Sequence, residues 1–492
     1  MNLPSHTPCA VVGAGPAGLT AAFELVRHGR APLVLEASPY LGGISRTHVW
    51  NGNRLDIGGH RFFTQNEDVQ RLWAEMMDEP MLKVPRASRI FYNGKFFQYP
   101  LQIRNTLGNL GLVESFLMVC SYARAQLQPE QPEESFAQWV RNRFGDRLYR
   151  TFFKTYTEKV WGIPCTEIRA DWAAQRIHGL SFFSAVMNAL RNSGKVKSLI
   201  KTFDYPRLGP GMLWEAAARK VGERGGRVVT GTRVTRLRHA EGRVTAIDVE
   251  TAGLSRSVAV DGVISTMPLS ALARQLDPLP PAAVRAAADG LRYRDFLIVA
   301  LTCRKSDVFP DNWIYIHSPE VRVGRIQNFR NWSPELVAPG NGTTLGMEYF
   351  CSRGDDLWCR EDADLIALAK REIVALGLLR AEDLGDGHVV RELNAYPVYD
   401  AAYRGHVATL RDYFTGSFHN LHTAGRNGMH RYNNQDHSML AGLHSARSLL
   451  GQPGMDPWEV NTERSYHEQQ VLTPEQRRRA RDILSAEKPP NA

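Results

Sequence analysis

The apolar residues of this chain fall into short runs whose spacing changes along its length. Cys9–Val12 is four small apolar residues in a row, which suits a short buried strand, and Gly13-Ala-Gly15-Pro-Ala-Gly18 follows. Leu19, Ala22, Phe23 and Val26 then recur at helical spacing until Gly29, and a second apolar run, Pro32–Leu35, ends at Glu36. Ile90 to Gln98 reads as a hairpin turning at Asn93-Gly94. From about 101 to 200 the pattern is helical: Leu107 to Gln126, Ser135 to Phe144 and Tyr149 to Lys154. The loop Gly209-Pro-Gly211 precedes a helix from Met212 to Arg224 and alternating strands at Arg227–Thr230, Val234–His239 and Val244–Glu250. Glu241-Gly-Arg is the turn between the last two, and Asp261–Pro268 reads as a strand returning to the first sheet. Strand-like runs at Phe296–Thr302, Trp313–Ile316 and Thr344–Cys351, with one helix at Asp362–Leu378, predict an antiparallel sheet. Leu421–Arg426 supplies a last apolar strand.

The order strand, glycines, helix, helix stop, strand, acid has a mechanical meaning. The first glycine makes a tight turn, the second lets a pyrophosphate touch the backbone, and the third lets helix pack on strand. Glu36 lies 18 residues after Gly18, where a carboxylate accepts hydrogen bonds from a ribose and repels a 2′-phosphate. A dinucleotide other than NADP is therefore expected.

Composition narrows the picture modestly. A chain of 492 residues predicts two or three domains, and 43% hydrophobic with 23% charged residues is ordinary for a globular protein. Six cysteines, at 9, 120, 165, 303, 351 and 359, form no CxxC pair, which argues against a disulfide framework or zinc site and fits a reducing cytoplasm. The first strand starts too early to leave room for a signal peptide, so a cytoplasmic location is expected. Leu110–Leu127 is the most apolar stretch, but Glu114 and Arg124 interrupt it, and it reads as a packed helix rather than a membrane span. The net charge of +9 suits an anionic substrate, and equally a merely solubilising surface. Arg477–Arg479 with Arg481 reads as a solvated helix face, and no nucleic-acid module is visible.

Ala37-Ser-Pro-Tyr-Leu-Gly42-Gly43-Ile-Ser45-Arg46-Thr47, and then Asp56-Ile-Gly58-Gly59-His60, resemble segments of the glutathione-reductase-like and amine-oxidase-like flavoproteins. That resemblance implies FAD, with Gly58-Gly59-His60 passing the isoalloxazine. Its implied contacts are Gly13, Gly15, Ala17, Gly18, Glu36, Gly43, Ser45, Gly58, Gly59, His60, Val234, Gly425, Arg426, Asn434, Gln435, Ser438 and Met439. The implied fold is α/β: a Rossmann-type FAD-binding domain with a helical insertion and an antiparallel-sheet substrate domain. The expected division is 1–98, 206–290 and 406–484 for the FAD-binding segments (the last with a C-terminal helix), 99–205 for the insertion, 291–405 for the substrate domain, and 485–492 for a disordered tail.

Tyr156-Thr-Glu-Lys-Val-Trp161, with Arg176-Ile downstream, resembles the UDP-galactopyranose mutase family. Trp313-Ile-Tyr315, Ala395-Tyr396-Pro397 and Gly425-Arg426…Tyr432-Asn433-Asn434-Gln435-Asp436-His437-Ser438 are similar to that family's later motifs. The resemblance implies that Tyr156, Thr157, Trp161 and Trp313 line a substrate cleft. It implies that Arg176 and Arg322, with Arg325 as the alternative to Arg322, clamp a diphosphate alongside Tyr315, Tyr396, Tyr432 and Asn434 near His60. The implied activity is an isomerase of polysaccharide biosynthesis that interconverts pyranose and furanose forms of a nucleotide sugar. It would act through an N5-glycosyl adduct of reduced FAD, with NADPH or NADH as reductant. A hydride-removing oxidase or desaturase of the protoporphyrinogen-oxidase and amine-oxidase type shares the FAD domain and is the alternative. No metal is implied, and homo-oligomerisation stays open. Residues 100–130, where a nucleobase would be read, match no family pattern, so the sugar, the base and a lipid-linked alternative are undetermined.

Overall fold

Five parallel strands build the sheet that the first glycine motif predicts, in the order Arg227–Val229, Pro32–Leu35, Cys9–Val12, Val263–Ser265, Leu421–Thr423. The three central strands are short and buried on both faces, which is why they read as continuous apolar runs. The computed structural model describes residues 3–461 except 100, 102, 171–199 and 453–455. Arg176, the Arg477–Arg481 run and the expected tail 485–492 lie outside the described residues.

The helix Pro16–Arg27 covers this sheet, and ten of its twelve residues are buried. Gly18 is required there: a Cβ would stand 1.9 Å from the Gly13 carbonyl oxygen. Gly13 has φ +98, and a Cβ on it would collide with the Thr266 hydroxyl. The last long helix, Gln435–Leu449, packs against Pro16–Arg27 through Gly442, where a Cβ would lie 2.1 Å from the Ala17 carbonyl oxygen.

The strand runs at 232–251 extend into a meander, Thr232–Ala240, Arg243–Thr251 and Leu254–Val260, turning at Glu241-Gly242 as expected. The substrate-side sheet has seven strands. From one edge they are Leu384–Pro397, Tyr293–Cys303, Thr343–Cys351, Arg325–Asn328, Trp313–Ile316, Ser88–Tyr92 and Lys95–Gln98. The pairings are antiparallel except between Trp313–Ile316 and Ser88–Tyr92. The hairpin at Asn93-Gly94 thus joins this sheet and not the nucleotide-binding one. Both of its turn residues have positive φ, the backbone a tight two-residue hairpin needs.

Alternation gives this sheet two apolar faces. Leu297, Val299, Ile314, Ile326, Met347 and Tyr349 pack beneath the helix Asp362–Ala375. Phe296, Ile298, Trp313, Phe350 and Tyr396 face the helical layer. In that layer, the predicted 107–126 helix breaks at Gly111 (φ +88) into Ile103–Leu110 and Leu112–Leu127. Phe136–Phe144 starts from a capping box between Ser135 and Gln138. Asp146–Tyr149 runs through a π-helical turn, Arg150–Lys154, into Thr155–Trp161.

Asp56 closes the strand Asn53–Asp56 in a fully buried position, where it accepts hydrogen bonds from the hydroxyls of Tyr205 and Thr47. Burial pushes its carboxyl up to about 7, against the pull of those two bonds. The folded value lies above the unfolded one, so folding takes up a proton and stability falls as pH rises from about 4 to about 7. Asp56→Asn removes that dependence. Its unfolding free energy relative to the wild type is expected to climb over this window, by about 1.4 kcal/mol per pH unit at most, and to level off above it. A constant offset between the two proteins in urea melts from pH 4 to 8 would show that Asp56 is ionised in the fold.

Candidate functional site

The cleft lies between the Gly58–Arg61 loop, the helix Thr155–Trp161 and the inward face of the seven-stranded sheet. Register decides which side chains face it. Tyr315 is paired with Arg325 and Arg325 with Glu348, so all three share a face; Trp313 and Gln327 do so one step along. Arg325 places Nε 2.6 Å from Glu348 Oε2, and Gln327 donates to Glu348 Oε1 at 2.7 Å. Glu348 is wholly buried, whereas Arg325 keeps one edge open. A Cβ on Gly58 would lie 3.6 Å from that guanidinium.

Arg322 does not reach the cleft. Its guanidinium is half exposed and ion-paired with Asp356 on the outer side of the sheet, and its backbone N–H donates to Glu372. It sits in the loop before the strand Arg325–Asn328, where register does not orient it inward. Of the two alternatives, Arg325 is the one inside.

Two aromatic clusters flank Arg325. Tyr315 packs edge-on to Tyr156 (5.4 Å between centroids) and against Tyr99 (5.0 Å), while Tyr156 stacks on His317 (5.0 Å, 3°). On the other side Tyr396 stacks on Tyr432 (5.6 Å, 13°), and Trp161 meets both edge-on. The Arg426 guanidinium lies 4.7 Å from the Tyr432 ring centre and is held by the carbonyls of Asn433 and Ala395. Burial holds the hydroxyls of Tyr156 and Tyr396 above the ordinary phenol range, so both stay protonated donors. Thr157 is buried beside them.

Lys159 bolts the Tyr156 helix to the sheet. Its ammonium donates to the carbonyls of Ile316 (3.4 Å), Ser318 (2.8 Å) and Val323 (3.1 Å), in the loop joining the Tyr315 strand to the Arg325 strand. Burial lowers it to about 8. The sequence pattern contained this lysine without revealing what it does. Arg61 and Arg86 were also missed: their guanidiniums lie 4.8 and 5.7 Å from the Trp313 ring centre, and Arg86 lies 5.6 Å from that of Tyr99. Arg61 directly follows Gly58-Gly59-His60, which was the available signal.

The nucleotide end fits a dinucleotide. Glu36 accepts from the N–H groups of Ala14 (2.9 Å) and Ser38 (2.8 Å), tying the glycine turn to the loop beyond the second strand, and each oxygen keeps a further lone pair. Gly15 faces Gly43 across an open approach, with a Cβ on it 3.9 Å from the Gly43 Cα, so neither backbone is screened by a side chain. Gly425 (φ +82) abuts Ala17. Ser45 donates to Gln435 Oε1 at 2.9 Å, and Gln435 donates to the Arg61 carbonyl at 3.0 Å. Asn434 caps the helix Gln435–Leu449, in which Ser438 is buried. The side chains of Met439 and Val234 turn into the core, Met439 accepting from the Trp73 indole N–H.

His60 opens onto the cleft, and burial, then Arg426 and Arg325, push its imidazole down to about 3, so it is neutral. Its buried Nδ1, with Arg46 Nε and Gln327 Oε1, has no hydrogen-bond partner among the described residues. His60 Nδ1 and Gln327 Oε1, beside Gly58-Gly59, suit the polar edge of a planar cofactor. Among the described residues no group of three or more His, Cys, Asp or Glu could hold a metal ion, and no helix is long and apolar enough to cross a membrane.

Comparison with known proteins agrees with this fold. A solved structure of reduced UDP-galactopyranose mutase superposes with a TM-score of 0.80 at 21% identity, covering 93% of this chain and 100% of that one. By sequence, a probable UDP-galactopyranose mutase of Klebsiella pneumoniae is 27% identical over 180 residues, 33% of this chain and 42% of that protein. The chain therefore matches less than half the length of that relative. A coproporphyrinogen III oxidase of Mycobacterium tuberculosis is 23% identical over 424 residues, 82% of this chain and 89% of that protein. The family of flavin-containing amine oxidoreductases matches residues 16–365. The chain belongs to that family, and FAD is the cofactor that membership implies.

Proposed function

We propose that this flavoenzyme interconverts pyranose and furanose forms of a nucleoside-diphosphate sugar. The observation that carries the proposal is the composition of the cleft wall: Arg325 and Arg426 stand among the phenols of Tyr156, Tyr315, Tyr396 and Tyr432, facing the His60 loop. Cations and protonated hydroxyls on one wall suit a diphosphate leaving group, whose developing charge they stabilise.

In this proposal Gly13, Gly15 and Gly18 cradle the pyrophosphate of FAD, Glu36 takes a ribose, and the Gly58–His60 loop with Gln435 borders the isoalloxazine. When bound and reduced, the flavin supplies the nucleophilic nitrogen. Arg325 takes the role expected of Arg322: its open edge grips the diphosphate while Glu348 and Gln327 fix the guanidinium plane. Tyr156 and Tyr396 donate to phosphate oxygens. His60, neutral, offers one ring nitrogen to the cofactor side and carries no charge that would compete for the diphosphate. Lys159 holds the two walls at fixed separation. The length of the match to coproporphyrinogen III oxidase favours one alternative, an oxidase or desaturase working from oxidised FAD.

Turnover separates the two. With UDP-galactofuranose, the purified yellow protein is expected to produce the pyranose only after reduction by dithionite or NADPH, without stoichiometric consumption of reductant. Activity in the oxidised state with release of peroxide would establish the oxidase instead.

The two arginines test the wall. Arg325→Lys keeps a charge beside Glu348 but loses the fork, and turnover is expected to fall about 100-fold or more with flavin absorbance retained. Arg325→Ala is a poorer test, since an unpaired buried Glu348 costs about 3–5 kcal/mol of stability. Arg322→Ala should leave turnover unchanged; loss there with full activity in Arg325→Lys would reverse the assignment.

A further inference from the structure

Six of the thirteen exposed large apolar side chains among the described residues stand on one helix, Leu112–Leu127. They are Leu112, Val113, Phe116, Leu117, Val119 and Leu127, with Leu112 91% exposed, Phe116 66% and Leu127 83%. Together with exposed Cys120 and Ala123 they form one stripe along the whole helix, from its first residue to its last.

The opposite side is where the polar contacts are. Glu114 binds both Nε and Nη2 of Arg147 at 2.5 and 2.7 Å, Ser121 Oγ accepts from the Arg147 backbone at 3.1 Å, and Gln126 donates to the Asn142 carbonyl at 2.7 Å. Met118 is the helix's one buried side chain among these contacts. A surface helix of a globular protein turns its apolar stripe inward and its polar side to water; this one is reversed. Beside it runs a groove of about 710 Å³ whose apolar wall is Val119, Ala123 and Leu127.

Charge selects the occupant. Glu114 is the helix's one acid and Arg147 neutralises it, lowering its carboxyl through that bond. Arg124 is the helix's one base, and it is exposed on the apolar stripe. Lys95 adds a cation at the entry end, where its ammonium caps the Asn109 carbonyl. The helix surface is therefore apolar with positive points, and its one carboxylate is paired. A helix of 16 residues is about 24 Å long, short of the ~30 Å hydrocarbon core, so it can lie in a membrane interface but not cross it.

We propose that the Leu112–Leu127 helix docks this protein on an anionic bilayer surface, its apolar stripe in the boundary between headgroups and acyl chains and Arg124 among the phosphates. This does not depend on which reaction the flavin serves.

The test uses the full-length flavin-loaded protein with Cys359→Ser, which leaves Cys120 as the exposed cysteine among the described residues for an environment-sensitive dye. Vesicles of phosphatidylcholine with about one-third phosphatidylglycerol are expected to sediment the protein and shift the dye emission to the blue, and phosphatidylcholine alone to bind it roughly tenfold less. The triple variant Leu112→Ser, Phe116→Ser, Leu127→Ser should lose at least about tenfold in vesicle binding while keeping flavin absorbance and melting temperature. Failure of the unmutated protein to bind the anionic vesicles, or equal binding by the triple variant, would overturn the proposal. So would light scattering that shows a dimer dissociated by the same three substitutions with no vesicle binding, which would make the stripe an interface between copies.

Discussion

Backbone-to-backbone contact around Ala17 and Gly18 is the constraint on which the molecule is arranged. The Gly13 carbonyl presses on Gly18 from the strand side, Gly442 presses on the Ala17 carbonyl from the last helix, and Gly425 meets the Ala17 methyl. None of these approaches leaves room for a Cβ. Their combined effect is to bring two helix N-termini, at Pro16 and at the Asn434-capped Gln435, to the same end of the parallel sheet, each with its positive dipole end. An anion placed there is met by backbone N–H groups and positive dipole ends. The Ser45–Gln435–Arg61 chain of hydrogen bonds then fixes where the cleft begins.

The seven-stranded sheet divides its work between faces. One is sealed by the Asp362–Ala375 helix and serves stability. The other accepts a buried ion pair, Arg325–Glu348, that adds little net stability, because desolvating two charges cancels most of their attraction. What the pair does supply is a guanidinium of fixed plane with one edge open. Lys159, reaching three carbonyls across a layer boundary, makes the helical wall and the sheet wall a single unit.

The parallel sheet, its helix and the Asn93-Gly94 hairpin could be read from the sequence because each is a local pattern: glycine spacing, apolar period and turn chemistry all act within a few residues. The cleft was legible only in part. Tyr156, Tyr315, Tyr396 and Tyr432 stood out by motif, and they do converge. Arg322 and Arg325 could not be told apart, since that depends on where the strand begins, and it begins at Arg325. Arg61 and Arg86 come together only through tertiary packing on Trp313. The Leu110–Leu127 stretch was expected to be packed, but apolar periodicity marks a stripe without saying what covers it. Its neighbours satisfy the polar side instead.

The strand order also bears on biogenesis. Leu421–Thr423 is the edge strand beside Val263–Ser265, and the helix capped by Asn434 follows it. About 400 residues separate Gly13 from that strand, so the nucleotide pocket gains its closing wall roughly tens of seconds of synthesis after Gly13 emerges. During that interval the nascent glycine turn has no closing wall, because the edge strand and the helix that packs on Ala17 are the last of its neighbours to be made.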